Sequence, residues 1–394
     1  MSFLRSAAAI RSPLMAFLAM GAFWGAWHAL VPDVKRAVGA DDGELGTALL
    51  FVALGAVPAM VAGGRLVDHF GRALVPFGVL AFGVCAVLPA LARTPVELGA
   101  ALFALGLASG LMDVAMNARV GTIEAATGVR AMHLAHGLFA VVYLGAALAT
   151  GLARDGGLGP LLVLLVVGLA CGALALLARV LGEPCGAKAE AGDAVEEGQG
   201  RRVFTVPVVL LGLVAFAAFL AENGWQSWSA LFLERTFGAD PALGALGPAA
   251  VGLALAVGRF AGQAMAARVE DRLLIAGATL TAIAGGTAVA LAPGPNVVLA
   301  GLFVAAAGVS VIAPSALSLA GRTALPSQRG AAVATVGVIA YTGFFVGPAL
   351  IGFVADAEGL RTALGSIVIV LALVVPCLVL HRALANERAI EGVG

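Results

Sequence analysis

The chain has 394 residues, of which 61% are hydrophobic and 12% charged, with a formal net charge of zero. A soluble domain carries about 25% charged residues, so this composition cannot cover a water-soluble surface and most of the exterior must face lipid. The balanced charge leaves no footprint for nucleic acid, and the four cysteines show neither metal-site nor disulfide spacing.

A helix needs roughly 20 mostly apolar residues to cross a bilayer. Twelve such runs follow one another, at about 13–32, 44–66, 73–92, 96–118, 132–153, 159–180, 205–233, 243–266, 272–292, 296–320, 329–354 and 361–381. In lipid the backbone must satisfy its own hydrogen bonds, so these runs predict helices; the alternation of a membrane barrel is absent. The first run leads directly into further spans and reads as a first helix, not a leader. The 53 glycines sit inside the runs, where small residues let helix backbones approach closely. The expected fold is all-α, an integral membrane protein of twelve transmembrane helices.

One long polar stretch, 181–203, splits the helices six and six. Its composition suits a flexible linker, which gives a first bundle over 1–180 and a second over 204–394. With the N-terminus in the cytoplasm, seventeen of the 23 lysines and arginines fall inside and six outside. The positive-inside rule favours that orientation, and an even number of spans puts both termini in the cytoplasm.

The halves also repeat. Trp24-Gly-Ala-Trp27 in the first helix is matched by Trp225-Gln-Ser-Trp228 in the seventh, 201 residues later. Gly64-Arg65-Leu66 is matched by Gly258-Arg259-Phe260, and the ends of helices five and eleven, from Gly145 and from Gly347, align at nearly the same offset. Parallel repeats of this kind lead one to expect a solute site at the repeat interface near the bilayer midplane.

The loop after helix two reads Gly64-Arg-Leu-Val-Asp68-His-Phe-Gly71-Arg72. Asp68 can accept hydrogen bonds from a helix N-terminus and pair with an arginine, while Gly64 and Gly71 permit close packing and a tight turn. This segment resembles the signature loop of the major facilitator superfamily, Gly-x-Leu-x-Asp-x-x-Gly-Arg, although Ala73 stands where relatives often carry a further basic residue. The resemblance implies two six-helix bundles working by alternating access, with Gly64, Asp68, Gly71 and Arg72 forming a cytoplasmic gate.

Helix four places Gly106, Gly110, Asp113 and Asn117 on one face. An ionisable group inside a span is expensive unless it meets a cavity or a partner, so Asp113 is a candidate proton carrier and Asn117 a candidate for lining the solute cavity. The place of Asp113 in the 96–118 run puts it roughly 7 Å from the helix midpoint towards the cytoplasm; a structural ion pair or cap is the competing role. Gly110-Leu-Met-Asp113-Val-Ala-Met-Asn117 is similar to a narrower branch, the bacterial facilitators related to the fucose permease, with Asp113 shorter than the glutamate found there. That likeness implies proton-coupled movement of a small, polar, sugar-like solute across a bacterial inner membrane.

Other polar residues join the candidate cavity. His133, His136 and Tyr143 share roughly one face of helix five, and His28 lies one turn from Trp24; histidine titrates near neutral pH. Helix seven carries Glu222-Asn223-Gly224-Trp225-Gln226-Ser227-Trp228-Ser229, more polar than any other span. Glu222 is a second candidate for protonation, and Asn223, Trp225 and Gln226 for solute contact, with interfacial belt and solute stacking equally open for Trp225 and Trp228. Tyr341 offers a hydroxyl from helix eleven. No phosphate loop, paired metal-binding histidines or nucleophile elbow occurs, so neither an enzyme nor a cofactor is expected, only solute, protons and lipid, with the fold able to act as a monomer. An exporter of hydrophobic drugs or metabolites on the same scaffold is the alternative; the polar run 222–229 argues against it.

Overall fold

The computed structural model describes residues 3–129, 131–182, 204–266, 268–325 and 328–391. Most of the 181–203 linker, with Cys185, lies outside the described residues. Among those described, every regular element is helical. A short helix, Phe3–Ala9, precedes α1 (Arg11–Val38), α2 (Asp42–Phe70), α3 (Leu74–Val87), α4 (Pro95–Thr127), α5 (Met132–Asp155) and α6 (Pro160–Leu181). The second half has α7 (Val206–Phe237), α8 (Pro241–Ala266), α9 (Asp271–Ala290), α10 (Pro295–Thr323), α11 (Arg329–Glu358) and α12 (Leu360–Ala372), which continues after Leu373 as Val374–Glu391.

Eleven apolar helical segments are long enough to span a membrane, and one of them, Asp42–Ala90, is 49 residues. At 1.5 Å per residue that is about 74 Å, enough to cross twice. It reverses at Gly71, whose φ of 52° is open to glycine at little cost, so α2 and α3 are separate spans. Twelve spans result, as the apolar runs predict. Two ends differ most: the last helix runs ten residues past the expected 381, to Glu391, and α4 nine past the expected 118, to Thr127. Arg119, Thr122 and Glu124 continue the helix beyond the apolar run, a stretch that hydrophobicity alone reads as loop.

The chain divides into two compact units, one of residues 1–192 with 239–249 and the other of 193–238 with 250–394. The sequence boundary at 181–203 does not anticipate the grouping of 239–249, the start of α8, with the first unit.

Within the first unit α1 packs along α5 and α2 along α4. Both contacts bring backbones together. A Cβ on Gly25 would overlap the Tyr143 carbonyl, and one on Gly106 the Val52 carbonyl. Within the second unit α7 packs along α11, and here Gly343 and Gly347 of α11 meet the carbonyls of Phe216 and Leu220. In both halves the first and fifth helices thus touch through a glycine pair four residues apart, but the pair sits on the first helix (Gly21, Gly25) in one half and on the fifth in the other. Gly145, aligned with Gly347 by the repeat, has nothing within 4 Å of its would-be Cβ.

Ion pairs tie helix ends. Arg154 at the end of α5 donates from Nε and Nη2 to the two carboxylate oxygens of Asp33, both at 2.8 Å, and from Nη1 to the Ala29 carbonyl at 2.7 Å. Lys35 bridges to Asp42 at 3.0 Å, and Asp271 at the start of α9 pairs with Arg322 at the end of α10. Asp41 caps α2 by accepting from the Glu44 N–H, while the Glu44 carboxylate accepts from the Asp41 N–H.

Two stability outcomes follow. Gly25→Ala should destabilise the purified protein by about 1–3 kcal/mol through overpacking, whereas Gly121→Ala, in open space within α4, should be neutral or slightly stabilising. Asp33→Asn strands a buried guanidinium, since the Arg154 side chain is 0% exposed, and should cost about 3 kcal/mol. Arg36→Ala, which removes a largely exposed partner of the same carboxylate, should cost well under about 1 kcal/mol. Melting temperatures in detergent measure all four.

Candidate functional site

In the first unit the helix-four motif is built by packing. Gly106 and Gly110 seat α4 against the Val52 and Ala56 carbonyls of α2, and Asp113 follows one turn later. Asn117 donates from Nδ2 to the Asp113 carbonyl at 2.9 Å and to its carboxylate Oδ1 at 3.2 Å. Both side chains are half-buried. Because α4 extends to Thr127, Asp113 lies about 3 Å from the helix midpoint rather than about 7 Å. The helix beyond is held by Glu124, whose carboxylate accepts from the backbone N–H groups of Ala131 and Met132 at the start of α5, a favourable place for negative charge.

Also in this unit, His28 Nδ1 lies 2.8 Å from the Tyr143 hydroxyl, and both side chains are buried. The Trp24 ring stacks on His28 at 5.8 Å. Gly25 makes this pair possible, because α1 and α5 meet there backbone to backbone. His136 lies edge-on to Phe17 at 5.0 Å and His133 is exposed. The face shared by His136 and Tyr143 was the legible feature; the link from Tyr143 to His28 on another helix was not, since no local spacing encodes it.

In the second unit, Arg259 of α8 donates from Nη2 to Glu222 Oε1 at 3.0 Å. Arg259 counts as cytoplasmic in the charge balance but lies within α8. Measured from the Gly238 turn, Glu222 stands about 22 Å back along α7 and Arg259 about 27 Å along α8. That near-equal depth is the signal from which the pair could have been found.

Along α7 the accessible stripe is Leu213, Phe216, Phe219, Asn223 and Gln226. Asn223 Nδ2 donates to the Phe344 carbonyl at 2.6 Å, and its Oδ1 accepts from Ser227 at 3.3 Å. Tyr341 is exposed beside Phe219, ring centroids 5.5 Å apart. Trp225 is corrected. Both it and Trp228 are 0% exposed, so neither forms an interfacial belt nor lines an accessible wall. Trp225 packs against Gly286 of α9, and Trp228 donates from Nε1 to the Pro348 carbonyl at 3.1 Å. The reason is angular: at 100° per residue, position 225 points about 160° away from Asn223.

In the signature loop, Gly64 stands in open space, Gly71 makes the reversal, and Asp68 and Arg72 are both exposed. Among the described residues no group of three His, Cys, Asp or Glu is placed to hold a metal ion.

Twelve spans and this loop define a polytopic carrier fold, and comparison with known proteins agrees. The chain matches the sequence profile of the Major Facilitator Superfamily over residues 14–296 and 214–393. It is 31% identical over 373 residues to an uncharacterised MFS-type transporter of Yersinia pestis, covering 91% of this chain and 92% of that one. The nucleoside transporter NupG superposes with a TM-score of 0.81 at 11% identity over 95% of this chain and 99% of its own. A D-xylose-proton symporter does so with a TM-score of 0.62 at 15% identity, covering 93% and 97%. The chain belongs to the major facilitator superfamily.

The His28–Tyr143 pair carries its own test. Tyr143→Phe leaves a buried ring nitrogen unsatisfied and should cost about 1–3 kcal/mol, while the double variant His28→Phe with Tyr143→Phe should cost less than the sum of the two single changes. Melting of the three variants gives the coupling.

Proposed function

We propose that this protein is a secondary active transporter that moves a small, polar, sugar-like solute across the bacterial inner membrane by proton-coupled alternating access. The observation that carries the reading is Asp113. It is a carboxylic acid near the middle of a transmembrane helix, half-buried, with Asn117 beside it. Phe103 and Leu107 are the exposed apolar residues of α4 near it, and Asp113 points about 80° away from the first and about 120° away from the second. An acid in that position is expensive unless it serves a pathway.

In this reading Asp113 takes up and releases the proton and Asn117 orients its carboxylate. Glu222 is the second coupling group. His136, Asn223, Gln226 and Tyr341 supply polar contacts to the solute, the buried His28 acts through Tyr143, and the Gly64-Asp68-Gly71-Arg72 loop gates the cytoplasmic side. The charge bias supports cytoplasmic termini, and each unit's own packing supports action as a monomer. Proteins of the same fold include a nucleoside transporter and a D-xylose-proton symporter, both in keeping with a polar solute.

A thermal-shift screen of sugars, sugar acids, nucleosides and drugs identifies the solute, because binding to the native state raises apparent stability. In proteoliposomes an imposed pH gradient should then drive its accumulation. Asp113→Asn should abolish that accumulation and retain solute exchange without a gradient. Equal gradient-driven uptake in the variant would end the proton-carrier assignment, and stabilisation by hydrophobic drugs alone would favour the exporter.

A further inference from the structure

We infer that the solute carries a carboxylate, which Arg259 binds in the place that the Glu222 carboxylate takes in this structure. The inference rests on the transport reading and deepens it by naming the solute's charge class.

Three observations support it. First, Arg259 is only partly used. A guanidinium has five N–H donors in a planar fork that matches a carboxylate bidentately. Glu222 takes a single contact, Nη2 to Oε1 at 3.0 Å, and is the partner the described residues supply. Second, the Arg259 side chain is 51% exposed while Glu222 is 10% exposed. The acid is the sequestered member of the pair and the guanidinium the accessible one.

Third, that exposure is not towards lipid. Leu253, Val257 and Phe260 form the exposed apolar stripe of α8. Arg259 points about 120° away from the centre of that stripe, on a face with Gly252, Ala256 and Gln263. Small and polar side chains on that face leave room for water and solute. A half-exposed guanidinium within a span is tolerated only beside an aqueous path or a counter-charge.

The Glu222 carboxylate is therefore the fold's own stand-in for the ligand. A carboxylate arriving on the accessible side meets the free edge of the fork and competes with Glu222 for the rest. A neutral solute gains no comparable contact, so the site discriminates by charge before it discriminates by shape. Gln226, one turn beyond Glu222 on α7 and partly exposed, offers an amide to the hydroxyls of an acidic sugar.

The test uses the purified full chain and a defined panel. D-glucuronate, D-gluconate and L-lactate represent carboxylates, D-glucose and myo-inositol neutral polyols, and glucose 6-phosphate the phosphate class. At least one carboxylate should raise the melting temperature, and the neutral compounds should not. Glu222→Gln removes the internal competitor and should tighten carboxylate binding. The paired variant Arg259→Gln with Glu222→Gln avoids a stranded buried charge, keeps the fold testable, and should weaken binding roughly 10- to 100-fold.

Stabilisation by neutral compounds or the phosphate alone, no shift with any carboxylate, or unchanged carboxylate binding in the paired variant would each overturn the inference. Transport is read separately, by counterflow of whichever compound binds. Binding without movement would sink the transport reading and leave the Arg259 assignment standing, whereas counterflow of a neutral polyol alone would do the reverse.

Discussion

The close approach of helix backbones at glycine is the contact on which the rest depends. In a bilayer there is no hydrophobic force to press helices together, so association relies on van der Waals fit and short interaxial distances. Gly25 against Tyr143 and Gly347 against Leu220 set that distance for the first and fifth helices of the two halves. The glycines are on opposite partners in the two cases. By the 201-residue offset of the tryptophan repeat, Gly21 and Gly25 fall opposite Glu222 and Gln226. The second half, having moved its glycines to α11, carries polar side chains on α7 where the first half has none. That exchange is how one bundle plan yields two differently equipped halves.

Charge is handled by position along the helix. At helix ends the pairs Asp33–Arg154, Lys35–Asp42 and Asp271–Arg322 join neighbouring elements, each charge meeting an opposite one. Two features depart from that rule, Asp113 beside Asn117 and Glu222 beside Arg259. Each lies inside its helices; Asp113 and Asn117 are both half-buried, while Arg259 is the accessible member of its pair. Asp271–Arg322 has the same one-sided exposure as Glu222–Arg259, so what sets the latter apart is its place along the helices, away from their ends.

Much of this was legible in the chain. Twelve apolar runs became twelve spans because the bilayer imposes a length and forbids unpaired backbone. The signature loop and its reversal at Gly71 were readable because a turn needs specific residues at fixed spacing. The extent of α4 was not, since Arg119, Thr122, Glu124 and Thr127 break the apolar run yet remain helical. Nor was the fate of Trp225, which sequence left between a belt and a solute wall. Its burial depends on where Gly286 of α9 leaves space, a fact held in a distant segment. His28 with Tyr143, and Glu222 with Arg259, are likewise contacts between helices, and only the second leaves a trace in hairpin register.

That register matters before the protein is ever folded. α7 and α8 are consecutive and joined by a tight turn at Gly238. An isolated helix bearing Glu222, or one bearing Arg259, would enter the bilayer with a bare charge deep within it. Drawn in together as a hairpin, the two present a neutral couple whose charges meet at nearly the same depth. A neutral couple within one hairpin costs less to place in the bilayer than either charge alone.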